Sequence, residues 1–134
     1  STEVSNYMND NEMTALVETY FAGVDGEDFD VIKATMTDDC VFTVETHGIE
    51  LTTMDDIRSM FDRLWASHTS VQHTGFSHIV DVNRQRVSSQ FKVVNTHHDG
   101  SLAHKSNCNF FDIRDGLFSR ISVYMAGENT LNKA

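Results

Sequence analysis

No proline occurs anywhere in the chain, and only two cysteines do. Without proline, repeats or a shift in composition, no linker divides it, so a single domain is expected. Cys40 and Cys108 fall inside strand-like runs and are read as reduced, buried and cytoplasmic. No C-x-x-C or H-x-x-x-H spacing is present, so no metal is expected; zinc on His73, His97 and a further ligand is the weaker alternative. Long apolar runs are missing too, since nothing approaches the ~20 residues of a membrane-spanning helix. The opening "STEVSNYMNDNEM" has no basic segment leading into an apolar one, so it is not read as a signal peptide, and a cytoplasmic location without a membrane partner is expected. Basic residues are scarce: ten Lys and Arg stand against twenty Asp and Glu, a formal charge of −10. That charge repels phosphate backbones, and the cations come singly rather than in a stripe, so nucleic acid is not an expected partner. The acidic balance is read as a solubility feature.

What remains is a globular chain of 134 residues, 40% of them hydrophobic. A chain near this size buries about 70% of its unfolded surface, enough for one core. Residues 1–10 read as a flexible N-terminus, 11–128 as the folded domain and 129–134 as a C-terminal tail. In "MTALVETYFAGVDG" the residues Met13, Leu16, Val17, Tyr20, Phe21 and Val24 follow helical spacing, and Gly26 suits a left-handed helix end. A short helix is predicted over about 28–37 through Phe29, Ile32 and Met36, then a strand over "CVFTVET" (40–46). Thr53 with Asp56 resembles a capping box opening a third helix, whose face is Ile57, Met60, Phe61, Leu64 and Trp65. Four strands follow at about 70–82, 87–97, 101–113 and 117–126. The fold class is α+β: three helices packed on one face of a curved, mostly antiparallel sheet.

Two turns decide which side chains share a face. "HDG" (98–100) and "RDG" (114–116) both fit a three-residue hairpin loop ending in a left-handed glycine, pairing His97 with Ser101 and Ile113 with Leu117. Odd positions then line one face: Val87, Phe91, Val93, Asn95 and His97; Asn107, Asn109, Phe111 and Ile113; Leu117, Ile121, Val123 and Met125. A two-residue Asp-Gly turn would reverse the assignment, and the next strand also carries Leu102, Cys108 and Phe110 on its other side. On the preferred register, polar residues cluster on an apolar concave face. Unpartnered, each costs ~1–3 kcal/mol, so the cluster points to a pocket for something polar, or else to a sheet end wetted by solvent.

In "SVQHTGFSHIVDVN" (70–83) His73 stands where an apolar residue would pack better. Asp25 is also misplaced, because a carboxylate in the last turn of a helix opposes the dipole by ~0.3–1 kcal/mol. It reads either as a solvated helix-end residue or as the partner that holds an imidazole N–H at a pocket mouth. The remaining histidines, His47, His68, His78, His98 and His104, read as surface residues.

The order "YFAGVDGEDFDVIKATMTDDCVF", a helix, "QH" and strands ending "NFFDIRDGLFSRI" resembles the SnoaL-like, nuclear-transport-factor-2-like superfamily over residues 11–126. The resemblance implies a cone-shaped domain enclosing a pocket. Its nearest pattern is that of scytalone dehydratase and hexachlorocyclohexane dehydrochlorinase. By that resemblance Asp25 and His73 form a His–Asp dyad, with His97 and Asn107 as further catalytic residues, Asn107 preceding Asp115 by eight positions. The pattern departs at Val24 and Val44, which replace pocket tyrosines, and at Lys105, which replaces a serine. An overlay on ketosteroid isomerase places Tyr20 and Asn109 at its oxyanion hole and Val44 at its base. Tyr20, Val44, Phe91 and Asn109 are the implied substrate-binding residues. The implied function is a cofactor-free lyase or isomerase acting on a small, largely apolar cyclic substrate, as a homodimer or homotrimer. The alternatives are a non-catalytic binding or assembly module and a polyketide cyclase or hydrolase.

Overall fold

Asn9 starts the first helix by a reciprocal pair of bonds. Its side chain accepts from the Glu12 N–H at 2.8 Å, and the Glu12 carboxylate accepts from the Asn9 N–H at 3.0 Å. The computed structural model describes residues 6–127 and Leu131. Residues 1–5 of the expected flexible terminus, and all of the expected tail but Leu131, therefore lie outside the described residues. Met8 is tied down: its N–H and C=O both bond the Gln85 side chain at 2.9 Å.

Helix α1 (Asp10–Asp25) is followed by α2 (Phe29–Ala34), β1 (Met36–Val44), a single 3₁₀ turn at Glu45–His47 and β2 (Ile49–Leu51). Then come α3 (Met54–Ala66), β3 (Ser70–Asp81), β4 (Arg86–Thr96), β5 (Leu102–Arg114) and β6 (Leu117–Tyr124). The six strands form one sheet in the order β2-β1-β6-β5-β4-β3, antiparallel except between β1 and β6. This is the expected α+β architecture, with two departures near its middle. Met36 opens β1 rather than closing α2, because Thr35 caps α2 by bonding the Ile32 carbonyl at 2.6 Å. Strand β2, too short to leave a pattern, was not foreseen. No described helix is long and apolar enough to cross a membrane.

Gly26 does not take the left-handed conformation expected of it; its φ is −85°, and Glu27 turns the chain instead with φ 52°. A side chain with a Cβ is strained there by roughly 1 kcal/mol. Glu27→Gly is therefore expected to raise stability by about 0.5–1 kcal/mol, read as a higher urea midpoint with an unchanged slope.

The first hairpin loop has the expected register: His97 and Ser101 are joined by a backbone bond of 2.9 Å, with Gly100 at φ 86°. The second does not. Arg114 pairs directly with Leu117, leaving the two-residue turn Asp115–Gly116, both at positive φ. That turn alone would have reversed the faces of β6. A bulge past Asp112 restores the parity, so Phe111 meets Ile121 and Asn109 meets Val123. One consequence is that Phe118, not Leu117, enters the core. Cys40 is buried, while Cys108 is only half-buried on the outer face, and both are free thiols. Burial pushes the Cys40 thiol up to about 12, with nearby Asp39 adding to it.

Candidate active site

The inner face of the sheet is a lattice whose rows run from a sealed end to an open one. Val87, Phe111, Ile121 and Phe42 form the innermost row and are almost wholly buried. Ser89, Asn109, Val123 and Val44 make the next, and Phe91 with Asn107 the one above. His73, Val93 and Lys105 follow, then Val71, Asn95 and Ala103. With α1 and α3 closing the other side, these rows wall a cavity of about 260 Å³. Its lining is mostly apolar, which excludes water and strengthens any electrostatic contact inside.

Asp25 reaches His73 across 48 positions of sequence because α1 ends against β3. Strand β3 is a sheet edge, so the outward N–H groups of its backbone have no neighbouring strand. Asp25 takes up one of them: its Oδ2 accepts from the His73 backbone N–H at 2.9 Å. Its Oδ1 lies 2.5 Å from Nδ1 of the same residue. A carboxylate can only accept, so Nδ1 carries a proton, and in the neutral ring the lone pair is then on Nε2. The ring packs against both Phe21 and Phe91, at centroid distances of 4.8 and 5.4 Å. The helix end is anchored as well: the Trp65 indole N–H donates to the Val24 carbonyl, beside Asp25, at 3.0 Å. The unfavourable position of Asp25 on the helix dipole is offset by these two bonds to His73.

Polar groups on the cavity wall have a consistent pattern. Ala126 N–H donates to Asn107 Oδ1 at 2.9 Å, which fixes that amide and, among the described residues, leaves its NH₂ as the end available to a ligand. Asn95 and Asn109 are 5% and 2% exposed, and the amide oxygen of each has no partner among the described residues. Tyr20 lies deep against Phe21, Phe61, Phe111 and Phe118, and burial raises its phenol far above the ordinary range. It therefore stays a neutral hydrogen-bond donor at any working pH.

Of the residues singled out from sequence, His73, Asn107, Tyr20, Val44, Phe91 and Asn109 all line this cavity, and Asp25 stands directly behind His73. His97 does not line it. Its ring packs on His68 at 5.4 Å, one row beyond Asn95, because the hairpin carries it past the cavity wall. The expectation that His97 shares the pocket is corrected on this ground. Nor is His78 a surface residue. Gly75, at φ 67°, forms a bulge in β3 that swings His78 to the inner side. There it bonds Ser89 Oγ at 2.7 Å and Glu18 at 3.3 Å. Ser89 is fully buried, so this Ser–His–Glu arrangement has no access for a substrate and serves packing. Lys105 also lines the cavity, as its odd position on β5 allows, and so do Arg63 and His47, which nothing in their sequence spacing marked as wall residues. Among the described residues no three metal-ligating side chains gather.

An unpartnered amide in an apolar wall lowers stability, which gives a direct check. Asn109→Leu keeps the side-chain shape and removes the orphaned group; it is expected to stabilise the fold by about 1 kcal/mol in urea titrations while weakening ligand binding.

No curated protein matches the chain significantly. Solved structures do. A candidate polyketide cyclase from Xanthomonas campestris pv. campestris is 22% identical, covers 90% of this chain and 92% of its own, and superposes with a TM-score of 0.79. Another candidate polyketide cyclase, from Pseudomonas putida KT2440, is 16% identical over 89% and 94% of the two chains, with a TM-score of 0.78. An LEH-like epoxide hydrolase from M. tuberculosis is 16% identical over 87% and 84%, with a TM-score of 0.73. At these identities the likeness is one of fold. The family model described as "SnoaL-like domain" matches residues 9–117, most of the length, and the chain therefore belongs to the SnoaL-like domain family.

Proposed function

We propose that the protein is a cofactor-free lyase or isomerase that removes a proton from a small, largely apolar cyclic substrate. The observation that carries this reading is the 2.5 Å contact of Asp25 with His73 Nδ1, which leaves Nε2 as the ring nitrogen facing an apolar cavity. An imidazole so oriented is a general base, and a positioned base contributes ~10²–10⁴-fold. It takes a proton from the carbon next to a carbonyl. Electron density then moves onto the carbonyl oxygen. Donors on the wall meet it: the Asn107 NH₂ and the Tyr20 phenol, each worth about 3–4 kcal/mol if aimed at the developing charge. The imidazolium formed is stabilised by Asp25 and returns its proton to another carbon, or to a departing hydroxyl, completing an isomerisation or a dehydration. The fold supports the reading in a coarser way, since solved proteins named as cyclases and an epoxide hydrolase are built on it. In a hydrolase the same base would activate water instead of a C–H bond.

Deuterium uptake tests the proposal without knowledge of the natural substrate. Wild-type protein in D₂O is expected to speed exchange of the α-protons of small enolisable cyclic ketones, followed by proton NMR. Exchange no faster than in buffer would refute it and favour a non-catalytic binding module.

A further inference from the structure

The cavity wall reverses the charge balance of the whole chain. Acidic residues outnumber basic ones twenty to ten, yet among the described residues no Asp or Glu lines the cavity, while Arg63 and Lys105 both do. Arg84, Arg86 and Arg114 pair with Asp81, Asp112 and Asp39, whereas Arg63 and Lys105, like Lys33, Arg58, Lys92 and Arg120, have no ion-pair partner among the described residues, so both cavity charges are available to a ligand. Lys105 occupies an inner-face position of β5, in the same cross-sheet row as His73 and Val93. An apolar residue would serve packing better there. Arg63, in the last turn of α3, complements the helix dipole, but that role does not require it to reach the cavity.

We infer that the substrate carries a carboxylate, and that Arg63 and Lys105 hold it at the cavity mouth. This rests on the proton-abstraction reading above, and it supplies what that reading lacked, a chemical handle on the substrate. Two strand spacings separate His73 from Lys105, about 10 Å between Cα atoms, with the long lysine side chain shortening the gap. A ring held by its carboxylate at Lys105 and Arg63 presents its far side to the imidazole. Arginine grips a carboxylate through two parallel N–H bonds, and lysine adds a point charge. A formal charge of −10 would otherwise turn such an anion away, so the local cations both admit and orient it.

The probes are 3-oxocyclohexane-1-carboxylate and its neutral methyl ester, with affinities measured by NMR titration. Wild type is expected to bind the carboxylate about tenfold tighter than the ester, the size of one or two charge-assisted bonds. The double variant Arg63→Gln, Lys105→Gln is expected to bring the two within about twofold, and salt raised from about 0.05 to about 0.5 M should erode the wild-type preference. Equal affinities in wild type, undetectable binding of the carboxylate, a salt-insensitive preference, or a preference retained by the folded double variant would each overturn the inference. The salt arm decides the matter even if the double variant is unstable. His73→Ala separates the two readings, because it should keep the preference for the anion while losing proton exchange. If wild type shows the preference but never exchanges protons, the anion site stands and the proposed chemistry fails.

Discussion

His73→Ala is expected to lose about 10²–10⁴-fold in α-proton exchange, the full contribution of a positioned general base. Removing the imidazole leaves Asp25 with the backbone N–H of residue 73 still to accept, so the junction of α1 and β3 keeps one of its two bonds. Phe21 and Phe91 lie 4.7 Å apart between ring centroids and remain in contact once the histidine ring is gone. The variant should therefore fold, with an unchanged far-ultraviolet circular dichroism spectrum, and melt only modestly lower. Exchange is measured by loss of the α-proton signal in D₂O at a pH where imidazole is neutral. A wild-type exchange rate in the folded variant would show that the base lies elsewhere. The largest effect belongs here because, among the described residues, no other imidazole lines the deep wall: the other lining histidine, His47, is exposed.

Phe111→Ala should be the most damaging core substitution, costing about 3–5 kcal/mol. The residue is fully buried in the innermost row, and its ring meets Phe118 at 4.7 Å, Tyr20 at 5.6 Å and Phe21 at 6.1 Å. Its loss opens a void at the sealed end of the cavity and removes three ring contacts at once. Measured as a shift in urea midpoint, that is a large share of the ~5–15 kcal/mol that holds a domain folded. The neighbouring Phe110→Ala is the control. Its ring lies on the outer face, against Arg86 at 5.0 Å and Tyr124 at 6.0 Å, and should cost about 1 kcal/mol or less. Equal losses at both positions would mean that the inner and outer faces of β5 have been assigned wrongly.

That assignment also marks the limit of what could be read from sequence. Alternation along β4 and β5 identified Phe91, Asn107, Asn109 and Phe111 as sharing one face, because side chains on a strand point alternately to its two sides. The second hairpin is a two-residue turn rather than the three-residue loop its sequence suggests, yet beyond Phe118 the faces of β6 match, since a bulge compensates the shorter turn. Bulges leave no such periodic mark. The one at Gly75 inverts the alternation of β3 and brings His78 inward, against the expectation of an exposed side chain. His97 failed for the opposite reason: its parity is right, but it lies too far along the strand to meet the cavity.

Composition, periodicity and turn residues by themselves determined the α+β class, the helix faces and the polar cluster on an apolar sheet, since these depend on local backbone preference and the burial of apolar surface. Tertiary structure decided that Asp25 meets His73, a pairing that only the resemblance had suggested, that the amide oxygens of Asn95 and Asn109 have no partner among the described residues, and that Arg63 and Lys105 line one cavity. Such meetings join residues tens of positions apart, and they are fixed by how α1 and α3 dock on a bulged sheet. No local preference encodes that docking.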